Sequence, residues 1–490
     1  MRSMHGAAVV GSGPNGLAAA VTLARAGLPV TVFEASDTIG GGARTGSHVA
    51  PGVRHDVCSS IHPMALATGF FREFELAKRI DFVIPDASYA HPLDGGAGQR
   101  AAVAYRDLER TAAELGDDGA AYARLYAPLL ARLDGVLDLA LGGALARWPS
   151  DLGAALAFAA RALEQGTPAW GMRFRSESAP ALLAGVAAHN VGRMPGLAGA
   201  GVALVLGALG HSSGWPVPVG GSQAITDALA AELIACGGRI ETGRRIRDLG
   251  ELDGYELRLF DTSPRGLAEI AGEALPQRYR RKLLRFRYGD AAAKVDWVLN
   301  GPVPWLDQRV AAAPTVHLGG TRAEIAAAEA AVARGRHADR PYVLLTQPTA
   351  SDPGRNAPGV HAVSSYTHVP SGSTVDVGAA VTAQVERFAP GFRERVVAVH
   401  VTPAAQLARD NLNYIGGDFS AGAVSLPQLL ARPVMSPEPW RTPVQGIYLC
   451  SSATAPGPGV HGLAGWYAAR VALRREFGIE SPSLALGAAD

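Results

Sequence analysis

The chain opens with a change of rhythm in its hydrophobic pattern. Ala8-Val9-Val10 is an apolar run that breaks at Gly11-Ser12-Gly13-Pro14-Asn15-Gly16, and an alanine-rich stretch over 17–26 follows and stops at Gly27. This pattern predicts a strand, a glycine turn and a helix, with a second strand at Val30-Thr31-Val32-Phe33. Further on, apolar residues recur at helical spacing over 107–115, 120–141 and 152–163, with Asp151 placed to cap the last of these. The stretch 179–209 is mostly helical and rich in small residues. A helix over 223–235 and a strand from Arg239 follow, and then a second strand starting at Leu257 that ends in a turn by Pro264. Residues 293–299 alternate as a strand, and 342–345 and 360–366 read as paired strands of an antiparallel sheet that floors a cavity. The pattern ends with a helix over 381–388, a strand over 396–401, a strand over 446–450 and a helix over 463–473.

The glycine turn carries chemistry. In G-x-G-x-x-G, Gly11 allows the tight turn, Gly13 lets the backbone approach a pyrophosphate and Gly16 permits close helix–strand packing, with phosphate on the helix N-terminus. Glu34 ends the next strand about twenty residues on, where an acid bonds a ribose hydroxyl and favours a ribose without a 2′-phosphate. Pro14, Asn15 and Ala35 flank these positions.

Composition narrows the function classes. At 490 residues, two interwoven domains are expected. Hydrophobic residues make up 48% and charged residues 18%, and the net charge of +1 argues against a nucleic-acid partner. Cys58, Cys236 and Cys450 are widely spaced and odd in number, which argues against a disulfide framework or a metal site and for a reducing compartment. The first strand follows Met1 within a few residues, so no leader is expected and a cytoplasmic location is read. The most apolar stretch, 197–209, is too short and glycine-rich to span a bilayer. A buried core helix is expected there, over a tunnel wall or peripheral membrane contact. The basic stretch 277–287 is expected to be a solvated face.

A second glycine group, Gly40-Gly41-Gly42-Ala43-Arg44-Thr45, follows Glu34. The whole run resembles the FAD-binding N-terminus of the amine oxidase and phytoene desaturase superfamily. The resemblance implies FAD rather than NAD, with Gly41, Gly42, Ala43 and Arg44 along its diphosphate. The W-P-x-x-x-G-G run at 215–221, the following helix and the strand at 239 resemble the point where that family's chain returns to its cofactor domain, with Ile246 meeting the adenine end through its backbone. Thr262 lies at the family's exit from that domain. The Pro456-Gly457-Pro458-Gly459-Val460-His461-Gly462 loop resembles the second FAD motif, whose amides and helix N-terminus hold the flavin ring. Ser451 and Ser452 stand where amine oxidases carry an acid on the ribityl chain, a departure typical of the phytoene desaturase branch. Ile61, Ser452, Gly459, Val460 and His461 are therefore cofactor candidates.

For the reaction, the resemblance places Lys294 on the strand whose lysine holds a water beside flavin N5. A solvated edge residue is the plain alternative for a strand lysine. His62 and His211 are candidate proton-transfer or substrate contacts, and the Asn411–Asp418 loop is a candidate to face flavin or substrate. The expected fold is α/β, with a Rossmann-like FAD domain of the glutathione reductase type and an interleaved α+β substrate domain containing a mixed or antiparallel sheet. The cofactor domain is assigned to 1–70, 215–265 and 431–490, and the substrate domain to 71–214 and 266–430. The implied activity is hydride removal from a C–H bond of a hydrophobic small molecule, with electrons passed to O2 or a quinone-type acceptor. A flavin amine oxidase, a flavin-dependent isomerase and a non-catalytic flavoprotein scaffold are the alternatives.

Overall fold

The computed structural model describes residues 6–94, 101–142 and 148–487. Two sheets carry the architecture. Their strands are β1 (Ala7–Val10), β2 (Val30–Phe33), β3 (Ala87–Pro92), β4 (Ala101–Tyr105), β5 (Arg239–Glu241), β6 (Leu257–Phe260), β7 (Ala291–Leu299), β8 (Thr315–Leu318), β9 (Val343–Thr346), β10 (His361–Val369), β11 (Val396–Thr402) and β12 (Ile447–Leu449). The first sheet is wholly parallel, in the order β12-β6-β1-β2-β5. Its central strand is apolar throughout because both faces are covered. Ala7 and Val9 meet the helices Pro14–Arg25, Gln223–Ala235 and Leu463–Ala472, while Ala8 and Val10 meet Leu267, Tyr279 and Leu283 of the helices opposite.

The second sheet runs β11-β7-β10-β9-β8-β3-β4, antiparallel except where β8 lies parallel to β3. One face is a dry core of Val295, Trp297, Leu318, Val343 and Leu345 packed on Val385, Phe388 and Phe392. The other face, one residue out of phase, carries Lys294, Thr315, Leu344, Thr346, Ser364 and Tyr366 and forms the floor of a cavity. Helices Gly119–Leu130, Leu133–Leu141, Leu152–Gln165, Ser178–Ala187 and Leu197–Gly210 roof it over a core that includes Leu125, Leu182 and Leu204.

The structure adds two helix breaks that the periodic spacing does not show, the stretch 179–209 being mostly helical as expected. The stretch 120–141 is two helices, because Arg132 leaves helical geometry at φ −135° and ψ 35°. Its guanidinium instead bonds Asp151, at the start of the next helix, at 2.9 and 3.0 Å. The stretch 179–209 is also two helices, interrupted by a left-handed Val191 (φ 47°), and the break delivers His189 and Asn190 to the cavity wall. Leu197–Gly210 packs as a buried helix and also lines the cavity. The basic helix Gln277–Leu284 buries Tyr279 and Leu283 and turns Arg278, Arg281 and Lys282 to solvent. Among the described residues, no helix is long and apolar enough to cross a membrane.

Candidate cofactor cleft and active site

A single cavity of about 1370 Å³ lies between the two sheets. Pockets for one drug-sized molecule run to about 1,000 Å³, so this one has room for a dinucleotide and a second molecule. At one end the loop after β1, the end of β2 and residues 244–247 line it; at the other, the floor of the second sheet and the helical roof do.

The dinucleotide end follows from local geometry. Gly11 has φ +105°, a turn that a side chain would strain. A Cβ on Gly13 would stand 2.7 Å from the Asp261 carboxylate. On Gly16 it would overlap the Gly11 carbonyl oxygen, so the helix Pro14–Arg25 rests directly on the turn. The Glu34 carboxylate accepts from the Ser12 amide at 2.9 Å and hydroxyl at 2.6 Å, and from the Ser36 amide at 2.8 Å. It is thereby fixed at the cleft wall with lone pairs to spare. Asn15 joins the two ends of the chain: its Nδ2 donates to Ser452 Oγ at 3.2 Å, and its buried Oδ1 has no protein partner.

Pro14, Ala35, Gly41, Gly42, Ala43, Arg44, Ile61, Ile246, Thr262, Ser452, Gly459 and Val460 line the same cavity as Gly11, Gly13, Asn15 and Glu34. Gly16 lies behind the wall as a packing position. The loop Pro456–Val460 reaches the cavity just before the helix Leu463–Ala472. Arg432 ties the segment before this loop to residues around 420, donating to Ser452 O at 3.0 Å and Ser420 O at 2.9 Å. Burial lowers the Arg432 guanidinium to about 10, which leaves it charged at neutral pH.

At the junction of cleft and floor stands Lys294. β7 is an interior strand, paired on both sides, so the solvated-edge alternative does not hold. The ammonium is buried and donates to Val57 O at 2.7 Å and Asp56 O at 3.0 Å, with Asp296 Oδ2 at 3.3 Å. Burial would push Asp296 up, but Lys294 and His48 outweigh it and hold the carboxyl at about 2. Asp56 is itself fully buried against Arg355, 2.7 Å away, with the Ser222 amide and Thr45 hydroxyl on its other oxygen. Burial opposes its ionisation; the Arg355 guanidinium and these donors prevail and hold it below the usual carboxylate range.

His62 also lines the cavity, and its Nε2 lies 2.8 Å from Ser222 Oγ. Ser222 spends its own proton on Ser59 O at 2.6 Å, so Nε2 is the donor and Nδ1 the acceptor. Burial lowers the imidazole to about 4.

Besides Gly16, two sequence candidates, His211 and His461, are not brought to the cavity. His211 is locked between Tyr122 OH at 2.9 Å and Tyr105 O at 2.7 Å, in the core under the helical roof. It is a structural histidine. The His461 ring folds back into its own loop, accepting from Leu463 N at 3.0 Å and meeting Gly457 O at 3.1 Å. It shapes the loop rather than facing the cavity.

The Asn411–Asp418 loop lines the cavity through residues 411–415, Tyr414 among them, whereas the sequence reading missed Asp261, Arg355, Tyr366 and Phe419. Asp261 accepts from Gly16 N at 2.9 Å, inside the glycine turn, and burial pushes its carboxyl up to about 7. Its place directly after a parallel strand next to β1 was the available signal. Tyr366 faces Lys294 across the β7–β10 pairing and meets Phe419 at 5.1 Å, and Tyr414 lines the wall beside Gly42 and Cys58. No local pattern marks Arg355, Tyr366 or Phe419.

Comparison with known proteins agrees with this geometry. Residues 9–74 match the family described as NAD(P)-binding Rossmann-like domain. A Mus musculus protein, pyridine nucleotide-disulfide oxidoreductase domain-containing protein 2, is 27% identical over 97% of this chain and 94% of its own length. Among solved structures, an oxidoreductase from Methanosarcina mazei superposes with a TM-score of 0.59 at 16% identity, covering 94% of this chain and 98% of that one. Cyclohexylamine oxidase from Brevibacterium oxydans gives 0.55 at 15% identity, covering 97% and 99%. The fold read from the sequence is borne out: the chain is α/β, matches a Rossmann-like NAD(P)-binding domain over residues 9–74, and shares its architecture over nearly its full length with these solved oxidoreductases.

Proposed function

We propose that this chain is an FAD-dependent oxidoreductase that takes a hydride from a C–H bond of a hydrophobic small molecule and passes the electrons to O2 or a quinone-type acceptor. The observation that carries the reading is the position of Lys294, buried where a dinucleotide-sized cleft meets a mostly apolar chamber. FAD suits the cleft on three grounds. The glycine turn leaves backbone space for a diphosphate, Glu34 is fixed for a ribose, and the orphan Asn15 Oδ1 and the 456–460 loop stand where the cleft enters the chamber. In the proposed division, segments 1–70, 215–265 and 431–490 hold the cofactor, and 71–214 and 266–430 hold the substrate.

A bound flavin would supply the two-electron redox chemistry; the protein supplies position and charge. The floor of the second sheet and the helical roof bind the apolar body and exclude water. Two of the three Lys294 ammonium protons go to the Asp56 and Val57 carbonyl oxygens, and the third is divided between Asp296, 3.3 Å away, and a water or substrate atom at the junction. His62, kept neutral by burial and with Nδ1 as acceptor, is suited to accept a hydrogen bond from the substrate rather than to take its proton. Substrate entry from a lipid surface is part of the proposal: Leu152, Leu156 and Leu163 are exposed on the helix whose Phe158 lines the chamber.

A second reading, amine oxidation, is favoured by one observation: Tyr366, Phe419 and Tyr414 surround the chamber wall near Lys294 as an aromatic group able to flank a neutral amine. Absorbance of the purified protein, followed by anaerobic titration with apolar and amine compounds, separates the readings. Flavin bands bleached by an apolar compound and restored by O2 support the first, and bleaching by amines alone supports the second. Bands that stay while a product isomer forms mean an isomerase; bands that no compound bleaches or converts mean a scaffold. A protein that takes up no flavin even when FAD is added overturns all four. In the same assay Lys294→Met is expected to retain flavin and slow its reduction about a hundredfold, with Lys294→Arg recovering part of the rate. A Lys294→Met rate within about threefold of wild type would remove the lysine from the mechanism.

A further inference from the structure

The far arm of the chamber is walled by Leu141, Phe158, Leu197, Val205, Leu206 and Trp215. Among the described residues lining it there is no Asp, Glu, Lys or Arg. Yet polar groups gather at one place: His189, Asn190 and Thr315 all line the arm. Asn190 and Thr315 are more than nine-tenths buried, and Asn190 Oδ1 and Thr315 Oγ1 have no hydrogen-bond partner. Orphaned buried polar atoms cost free energy unless something pairs with them.

His189 is built into this spot. Its Nε2 lies 3.0 Å from His317 Nε2, and its ring stands edge-on to Trp215 at 5.7 Å and to His317 at 5.2 Å. His317 and Thr315 project from the same face of β8, two residues apart, so the strand places both beneath the cavity. Burial drives the His189 imidazole down to about 3 and His317 well below its ordinary value, with the neighbouring histidines adding to the effect. Both rings are therefore neutral. One Nε2 donates and the other accepts, which leaves Nδ1 as the free ring nitrogen of His189.

We infer that His189, held by His317 and flanked by Asn190 and Thr315, is a substrate-positioning group that hydrogen-bonds an uncharged hydroxyl or carbonyl at the end of an otherwise apolar substrate. This rests on the reading of the chamber as a substrate site. Strand pairing measures the distance to the reacting end. Lys294 lies opposite Tyr366, Tyr366 opposite Leu344, and Leu344 opposite His317. Three steps between neighbouring strands put His317 about 14 Å from Lys294 across the sheet. The substrate is thus selected at both ends: a polar terminus at His189 and a C–H bond over Lys294. A carboxylate or ammonium terminus would meet no counter-charge in this arm and is disfavoured.

The test uses the flavin-loaded protein and a decyl series of comparable extended length: decanol, decane, decanoate and decylamine, titrated calorimetrically. Decanol is expected to bind about tenfold tighter than decane, the effect of one hydrogen bond to an otherwise unpaired buried group. Decanoate and decylamine are expected to bind weaker than decanol. His189→Phe is expected to erase the decanol preference while leaving decane affinity within about threefold. His189→Gln restores part of the preference. If His189→Phe fails to fold, the near-isosteric Thr315→Val carries the test and lowers the preference several-fold. Equal binding of decanol and decane, tightest binding of decanoate, or a preference untouched by both His189→Phe and Thr315→Val overturns the inference. The flavin spectrum of each sample separates the two failures: no flavin overturns the cofactor reading, whereas a flavin-loaded protein without the preference overturns the His189 pole alone.

Discussion

Gly16→Ala is expected to leave a chain that no longer retains a dinucleotide through purification. The added methyl group would overlap the Gly11 carbonyl oxygen and stand 3.0 Å from Asp261 Oδ2 and 3.1 Å from Asp261 Cβ. None of these is the far end of a flexible side chain. Gly11 belongs to a turn fixed by its own positive φ, and Asp261 is anchored by the Gly16 amide and by Asn413, which donates to its carbonyl oxygen at 3.0 Å. The helix Pro14–Arg25 must therefore lift away from β1. It cannot lift far, because a Cβ on Gly465 would already overlap the Asn15 carbonyl oxygen, which shows how closely the helix Leu463–Ala472 packs on its other side. Overpacking of this kind costs about 1–3 kcal/mol. If that strain falls on the bound state, affinity drops about tenfold to a hundredfold. Flavin-to-protein absorbance and the affinity for added FAD measure the effect. Gly254→Ala, where the methyl group meets nothing within 4 Å, is the control and should match wild type.

Arg355→Met is expected to lower the stability of the fold by about 3–5 kcal/mol, because it strands the buried Asp56 carboxylate without its cation. Both side chains are fully buried, and Arg355 also reaches Asp352 Oδ2 at 3.2 Å and Pro218 O at 3.0 Å. The pair holds together loops from three distant parts of the chain, around residues 56, 218 and 355. It also fixes the end of the cavity where Lys294 stands, since the Asp56 carbonyl oxygen is one of the two that aim this lysine. Its pH dependence has a definite sign. The folded-state pKa of Asp56 is depressed, so its contribution is complete above the unfolded value of about 3.9 and is lost as pH falls through the depressed folded value. In Arg355→Met the uncompensated carboxyl is instead raised, so the difference from wild type should narrow on acidification. Denaturant midpoints from neutral to acidic pH measure this, and Asp56→Asn combined with Arg355→Met should recover part of the loss. A pH-independent difference would mean that lost packing, not the buried charge, dominates.

What could be read in the chain before folding follows from how local each signal is. β1, its turn and the helix after it are a contiguous run in which apolar periodicity and glycine spacing agree, so strand, turn and helix were legible, although the helix starts at Pro14, three residues before the expected 17. The same holds for β2, β6, β12 and the loop at 456–462. Helix breaks were harder. Residues 120–141 have helical periodicity throughout, and the break at Arg132, whose guanidinium pairs with Asp151 nineteen residues away, leaves no mark on that pattern.

The site divides along the same line. By itself the sequence determined the first, Rossmann-like sheet, the glycine turn, Glu34 and the second loop, because each depends on backbone geometry and on spacing within one short segment. It also singled out Lys294 and His62 as candidates, without their surroundings. Only the tertiary structure decided which buried groups meet. It placed Lys294 on an interior strand under two carbonyls from the loop at 56–57, withdrew His211 and His461 into the packing, and joined Asp56 to Arg355, 299 positions further along the chain. It also set His189 against His317. Those pairings arise because a buried polar group must find a partner wherever the fold brings one near, and that partner's distance along the chain leaves no mark on the local pattern.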